Sequence, residues 1–257
     1  MDIIIIILVS MFASLLTLFS GFGLGTILTP FFALFFPVNL AVALTGVVHL
    51  LNNIFKVFLF KKDARWDIVL KFGIPSIIGA FAGAWLLIQL SDLNPLYEYI
   101  LWEKQFSITP IKLTIALLII VFTFLEFLPL LKNLSISGKY LIPGGLTSGF
   151  FGGLSGNQGA LRSAFLVKLN FTKNQFIATG VMIAILVDVT RLSVYFADFT
   201  SSGLTQNLPT LIASALSAFA GAYIGSKLLN KVTYKNIQRF VTAMLLTLAV
   251  LLGAGIL

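Results

Sequence analysis

Thr45, His49, Asn52, Asn53 and Lys56 stand at i, i+4, i+7, i+8 and i+11 inside an otherwise apolar run. In a helix that spacing gathers all five on one face, which is costly in lipid and therefore borders a polar path. His49 is the only histidine. It could take up and release a proton near neutral pH, donate a hydrogen bond to an anion, or serve as a hydrogen-bonded core residue. Lys56 has a stem long enough to snorkel. Arg162 lies in the first turn of a short apolar segment. Its planar fork suits a sulfonate, sulfate-like or carboxylate group, the alternative being a pair with Asp188. Asp188, Arg191 and Tyr195 form a sparser face at i, i+3 and i+7, where Asp188 and Arg191 read as a structural ion bridge. Lys56, Arg162 and Arg191 against Asp188 leave an excess of positive charge among the apolar segments, which favours an anionic over a cationic solute.

Two glycine-rich interruptions accompany these residues: Gly21-Phe-Gly23-Leu-Gly25, followed by Thr26, and Gly153-Leu-Ser155-Gly156-Asn157-Gln158-Gly159. Backbone unwound at membrane depth needs partners from protein or from a hydrated cavity. The short helices expected to start at Thr26 and Ala160 would present free N–H groups and positive dipole ends, ready-made for an anion. Gly21-x-x-x-Gly25 also fits small-xxx-small helix packing. So do Gly79-x-x-x-Gly83 and Ser217-x-x-x-Gly221-x-x-x-Gly225, and for those two packing is the preferred reading. No strand precedes either glycine cluster, so a dinucleotide-binding loop is excluded.

The surrounding chain is 58% hydrophobic and 10% charged, with a mean hydropathy of +1.03. Soluble domains carry roughly 25% charged residues, so the composition is that of a multi-pass membrane protein. The absence of cysteine removes thiol nucleophiles and Cys-ligated metals. No His/Asp/Glu cluster suggests a metal site, no Walker motif suggests ATP driving, and no cofactor is called for. The net charge of +8 is spread thinly between apolar runs, so nucleic acid is not an expected partner. Asp2 stands where a basic n-region would be, so the start is not expected to be a cleaved signal peptide.

An internal repeat organises the apolar segments. Gly25–Phe58 aligns without gaps onto Gly159–Leu192, matching Thr45-Gly-Val with Thr179-Gly-Val, and Ala80-Phe-Ala-Gly-Ala-Trp85 recurs as Ala218-Phe-Ala-Gly-Ala-Tyr223. Residues 1–138 and 139–257 are thus two membrane repeats, each a Gly-broken hairpin plus three transmembrane helices. The positive-inside rule selects their relation. If each hairpin enters and returns on one side, Lys61, Lys62, Arg65, Lys71, Lys132, Lys139, Lys168, Lys173, Lys227, Lys231, Lys235 and Arg239 share a side, and only Lys104 and Lys112 oppose them. The halves are then inverted and both termini outside, each hairpin being either a shallow re-entrant loop or two tilted helices, which have the same parity. Tyr97, Tyr99 and Trp102 suit an outer aromatic belt. The expected fold is all-α and polytopic.

A Gly-rich break followed by a short helix with Pro30, repeated in the second half, resembles the TauE/SafE sulfite-exporter-like permeases over essentially the whole chain. The second half departs from the family pattern: Asn157-Gln158 stand where glycine is usual, Ala164 stands opposite Pro30, and Arg162 adds a charge. The resemblance implies export of sulfite, sulfoacetate or related organosulfur anions across a prokaryotic plasma membrane. Alternating access with the anion at the two breaks is the preferred function. The substrate-contact set comprises Gly21, Gly23, Gly25, Thr26, Thr45, His49, Asn52, Asn53, Ser155, Gly156, Asn157, Gln158, Gly159, Arg162 and Asp188. The competing readings are an intramembrane enzyme acting on a lipid-linked phosphate, for which His49 and Asp188 are the obvious candidates, and an anion channel. The expected partners are a small anion and the lipid bilayer. The oligomeric state stays open, a homo-oligomer included.

Overall fold

The computed structural model describes residues 2–20, 23–60, 63–127, 140–167, 169–198, 206–228 and 235–257. Gly21, the inner-loop charges Lys61, Lys62, Lys132, Lys139, Lys168 and Lys231, and the expected seam at 138–139 lie outside them. Ten helices fill the described chain: α1 (Asp2–Ser20), α2 (Leu24–Phe32), α3 (Val38–Phe60), α4 (Trp66–Ser91), α5 (Pro110–Phe127), α6 (Leu141–Ser155), α7 (Gly159–Leu166), α8 (Lys173–Asp198), α9 (Leu208–Leu228) and α10 (Lys235–Gly253). Helices α3, α4, α8 and α9 are long and apolar enough to cross a membrane. The apolar windows of α1, α5 and α10 are shorter.

The faces are sorted for lipid. Along α4, Trp66, Leu70, Ile74, Ile78, Phe81 and Trp85 are exposed, and along α9 so are Leu208, Ile212 and Leu216. Polar groups take the interior instead: Ser10, Ser14, Asn52, Asn53, Ser76, Asp188 and Arg191 are all buried. Apolar outside and polar within is the pattern of a multi-pass membrane protein, because hydrocarbon rewards the first and penalises unpaired examples of the second.

Small residues set the helix spacing. A Cβ added at Gly83 of α4 would overlap the Phe150 carbonyl oxygen of α6 and come within 2.8 Å of Leu154 N. One added at Gly221 of α9 would overlap the Met11 carbonyl oxygen of α1 and come within 3.1 Å of Leu15 N. Helix α4 thus packs on α6, and α9 on α1. Both small-residue motifs therefore act in packing. At the centre α3 lies against α8, and α5 against α10.

One element departs from the all-helical expectation. Tyr97–Leu101 (β1) and Lys104–Ile108 (β2) form an antiparallel pair in which Leu101 faces Lys104. The turn between them is Trp102-Glu103, both with positive φ (50° and 62°). A two-residue turn of this kind matches strand twist and normally takes Asn-Gly, so its sequence signal was absent. Tyr99 Oη donates to Ala254 O at 2.7 Å and Lys112 Nζ to Ser107 O at 3.1 Å, tying the hairpin to the end of α10 and to α5.

Candidate functional site between the two breaks

The short helices start earlier than expected, at Leu24 and Gly159 rather than at Thr26 and Ala160. Gly23 precedes α2 in extended conformation (φ −70°, ψ 145°), and Gln158 precedes α7; no side chain caps either helix. Helix α6 stops because Gly156 turns left-handed (φ 78°), its N–H reaching Gly152 O at 2.9 Å. A side chain is strained at that φ, so glycine is required.

The two interruptions meet. A Cβ on Gly25 would stand 2.7 Å from Gly156 O, and one on Gly23 would stand 3.9 Å from Gly159 N. Asn157 and Gln158, 1% and 2% exposed, lie in the second break. All four of their side-chain amide atoms are buried without a hydrogen-bond partner. Leaving one such group unmatched costs about 1–3 kcal/mol, which makes the second break the candidate site. Ser155 is otherwise engaged: its hydroxyl donates to Phe151 O at 3.0 Å and accepts from Asn157 N at 3.4 Å. Thr26 is buried beside the first break, and the buried Thr29 hydroxyl, one turn on, is unpartnered.

Beside the breaks, α3 and α8 bury a charged network. Asp188 is fully buried, and each of its oxygens is occupied. Arg191 Nε donates to Oδ1 at 3.0 Å, with Nη2 2.9 Å from the same atom. His49 Nδ1 stands 2.6 Å from Oδ2, and Asn53 Nδ2 donates to Oδ2 at 3.2 Å. Asp188 thus pairs with Arg191, and an ionised Asp188 requires the imidazole hydrogen on Nδ1. The sequence reading placed His49 and Asp188 in different halves and did not foresee this contact, since no periodicity within one helix reports on its partner. Among the described residues the hydrogen-bond partners of His49 are Asp188 and Asn53.

The rest of the polar stripe divides. Thr45 is buried with its hydroxyl unpartnered. Asn52 turns to other helices: oriented to satisfy both ends, its amide nitrogen donates to Ala218 O and its oxygen accepts from Lys56 Nζ, each at 3.2 Å, with Ser14 Oγ alongside. Arg162 lies on α7 against α8, its Nε 3.3 Å from where a Cβ on Gly180 would be, and it is an electrostatic neighbour of Lys56. Gly46, the repeat mate of Gly180, makes room in the same way for Arg191, with Cζ and Nη2 3.3 Å from its Cβ position. Among the described residues no cluster of three His, Asp or Glu side chains could hold a metal.

The family described as Sulfite exporter TauE/SafE matches residues 6–252. No curated protein and no solved structure matches the chain.

Proposed function

The chain belongs to the sulfite exporter TauE/SafE family, a family of membrane transporters, and we propose that it exports a small oxoanion of the sulfite or organosulfonate type. The anion is held where the two breaks meet, by the uncapped starts of α2 and α7 and by the amides of Asn157 and Gln158, with the positive charge of Arg162 nearby. The observation that carries this reading is the contact of Gly25 with Gly156 beside four buried, unpartnered amide atoms. Amide donors in a low-dielectric interior suit a negative charge.

Each break is a re-entrant hairpin, and residues 1–138 and 139–257 are inverted repeats. The equivalent packing of α4 on α6 and of α9 on α1 supports that relation, as does the one-sided distribution of Lys and Arg in the sequence. Alternating exposure of the midplane site by movement of one half against the other follows from this construction. Localisation to a prokaryotic plasma membrane with both termini outside completes the proposal.

Counterflow in proteoliposomes, run with sulfite, sulfoacetate, taurine, sulfate, thiosulfate and carboxylates, tests the transport reading. Accumulation of a sulfur oxoanion is expected, reduced at least about tenfold by Asn157→Ala with Gln158→Ala, the size of one lost polar contact worth about 1.4 kcal/mol. Indifference to every anion contradicts it. Single cysteines at positions 2 and 231, introduced into a chain that has none, are expected to label from opposite sides of the membrane.

A further inference from the structure

Arg191 is the largest fully buried side chain among the described residues, and the ion pair with Asp188 does not exhaust it. A guanidinium offers two forked edges, one of Nε with a terminal nitrogen and one of both terminal nitrogens. Asp188 Oδ1 occupies the first, at 3.0 Å from Nε and 2.9 Å from Nη2. Along the second, neither Nη1 nor Nη2 makes a well-formed hydrogen bond. The Tyr195 hydroxyl gives its own hydrogen to Gly153 O and accepts one of the remaining N–H groups of the guanidinium. The unused edge points at the second break, with Nη1 2.9 Å from the position of a Cβ on Gly156. Asn157, with both amide atoms buried and unpartnered, is the next residue.

We infer that Arg191 is a ligand of the transported oxoanion, presenting Nη1 and Nη2 as a two-pronged donor at the back of the break, and that Asp188 is its positioning residue. This rests on the transport reading above. A charge buried only for structure would have its donors satisfied, because unpaired edges are expensive away from water. Here the carboxylate is spent on its own neighbours: Oδ1 on Arg191, Oδ2 on His49 and Asn53. Its negative charge is therefore dispersed over three donors and turned away from the free edge. The groups arrayed about the guanidinium are Asp188 and Tyr195 on α8, His49 with Gly46 on α3, and Gly156 at the end of α6. A single flat edge of two N–H groups donates to two oxygens of one small anion, which a sulfite, sulfonate or carboxylate group supplies and a halide does not.

The test uses the neutral pair Asp188→Asn with Arg191→Gln. Both side chains keep nearly their size and hydrogen-bonding capacity, and no lone charge is left buried. Purified wild type is heated in detergent across a series of sulfite, sulfoacetate and chloride concentrations, and counterflow of sulfite is measured in parallel. Wild type is expected to gain thermal stability with sulfite or sulfoacetate but not with chloride. The double variant is expected to stay monodisperse, to need at least about tenfold more anion for half the effect, and to lose counterflow in proportion. A double variant that keeps the wild-type half-saturation overturns the assignment of Arg191 and leaves the transport reading standing. A wild type that neither moves nor is stabilised by any of the anions overturns the transport reading, and this inference with it.

Discussion

The two breaks occupy equivalent places in the repeat and are built from opposite materials. The first has Gly23 and Leu24 where the second has Asn157 and Gln158, and its short helix carries Pro30 where the other has Ala164. The first leaves its glycine in ordinary extended backbone; the second ends in a left-handed glycine against a buried guanidinium. Their supports differ as well. Helix α6 is pressed backbone to backbone on α4, since Cβ atoms at Gly145, Gly149 and Gly153 would overlap the carbonyls of Phe72, Ser76 and Ala80. Helix α1 meets α9 through Gly221 and through the Ser14–Asn52–Ala218 hydrogen bonds. The polar side chains that could recognise a solute, Asn157 and Gln158, stand in the second break.

That contrast can be broken most sharply at the glycine seams. Gly83→Val forces α4 away from α6, and Gly221→Val forces α9 away from α1. Overpacking of this kind costs about 1–3 kcal/mol or more where the opposing atom is backbone. Loss of monodisperse protein is expected for both, and a large difference between them would contradict the equivalence of the two seams. Asp188→Asn alone comes next, for it leaves Arg191 charged, buried and unpaired at a cost of about 3–5 kcal/mol. Melting in detergent should show that loss, with most of it recovered when Arg191→Gln is added.

A smaller effect with opposite signs in two assays is expected for Asn157→Ala with Gln158→Ala. Removing unpartnered polar atoms raises or preserves thermal stability, by up to ~1 kcal/mol per group, while anion counterflow falls. Glycine replacements then grade the breaks themselves. Gly156→Ala carries about 1–2 kcal/mol of left-handed strain besides its contact with Arg191. Gly23→Ala should be nearly silent, its closest neighbour being Thr26 Oγ1 at 3.4 Å.

Much of this was legible in the residues. The breaks, the repeat offset and the membrane class follow from glycine clusters, self-similarity and composition, and the helix starts were displaced by only one or two residues. The pairing of Asp188 with Arg191 was readable because i, i+3 neighbours share a face. What the sequence hid was every relation between distant helices. The contact of His49 with Asp188 spans 139 positions, and the direction of the Arg191 fork depends on how α8 is rotated against α6. Asn52 shares a stripe with His49 yet serves α1 and α9, because a helical face is wide enough to meet two neighbours. The strand pair at 97–108 was missed for a different reason: its turn uses Trp102-Glu103, residues that carry no turn signal.

The meeting of the breaks around an anion is tested most directly by cross-linking Gly23→Cys to Gly159→Cys in this cysteine-free chain. A Cβ at position 23 stands 4.0 Å from the Cα at 159, within reach of a disulfide. The account predicts that the bond forms readily under mild oxidant and that it stops sulfite counterflow, which returns on reduction. Failure to cross-link, or counterflow that the cross-link leaves unchanged, would contradict it.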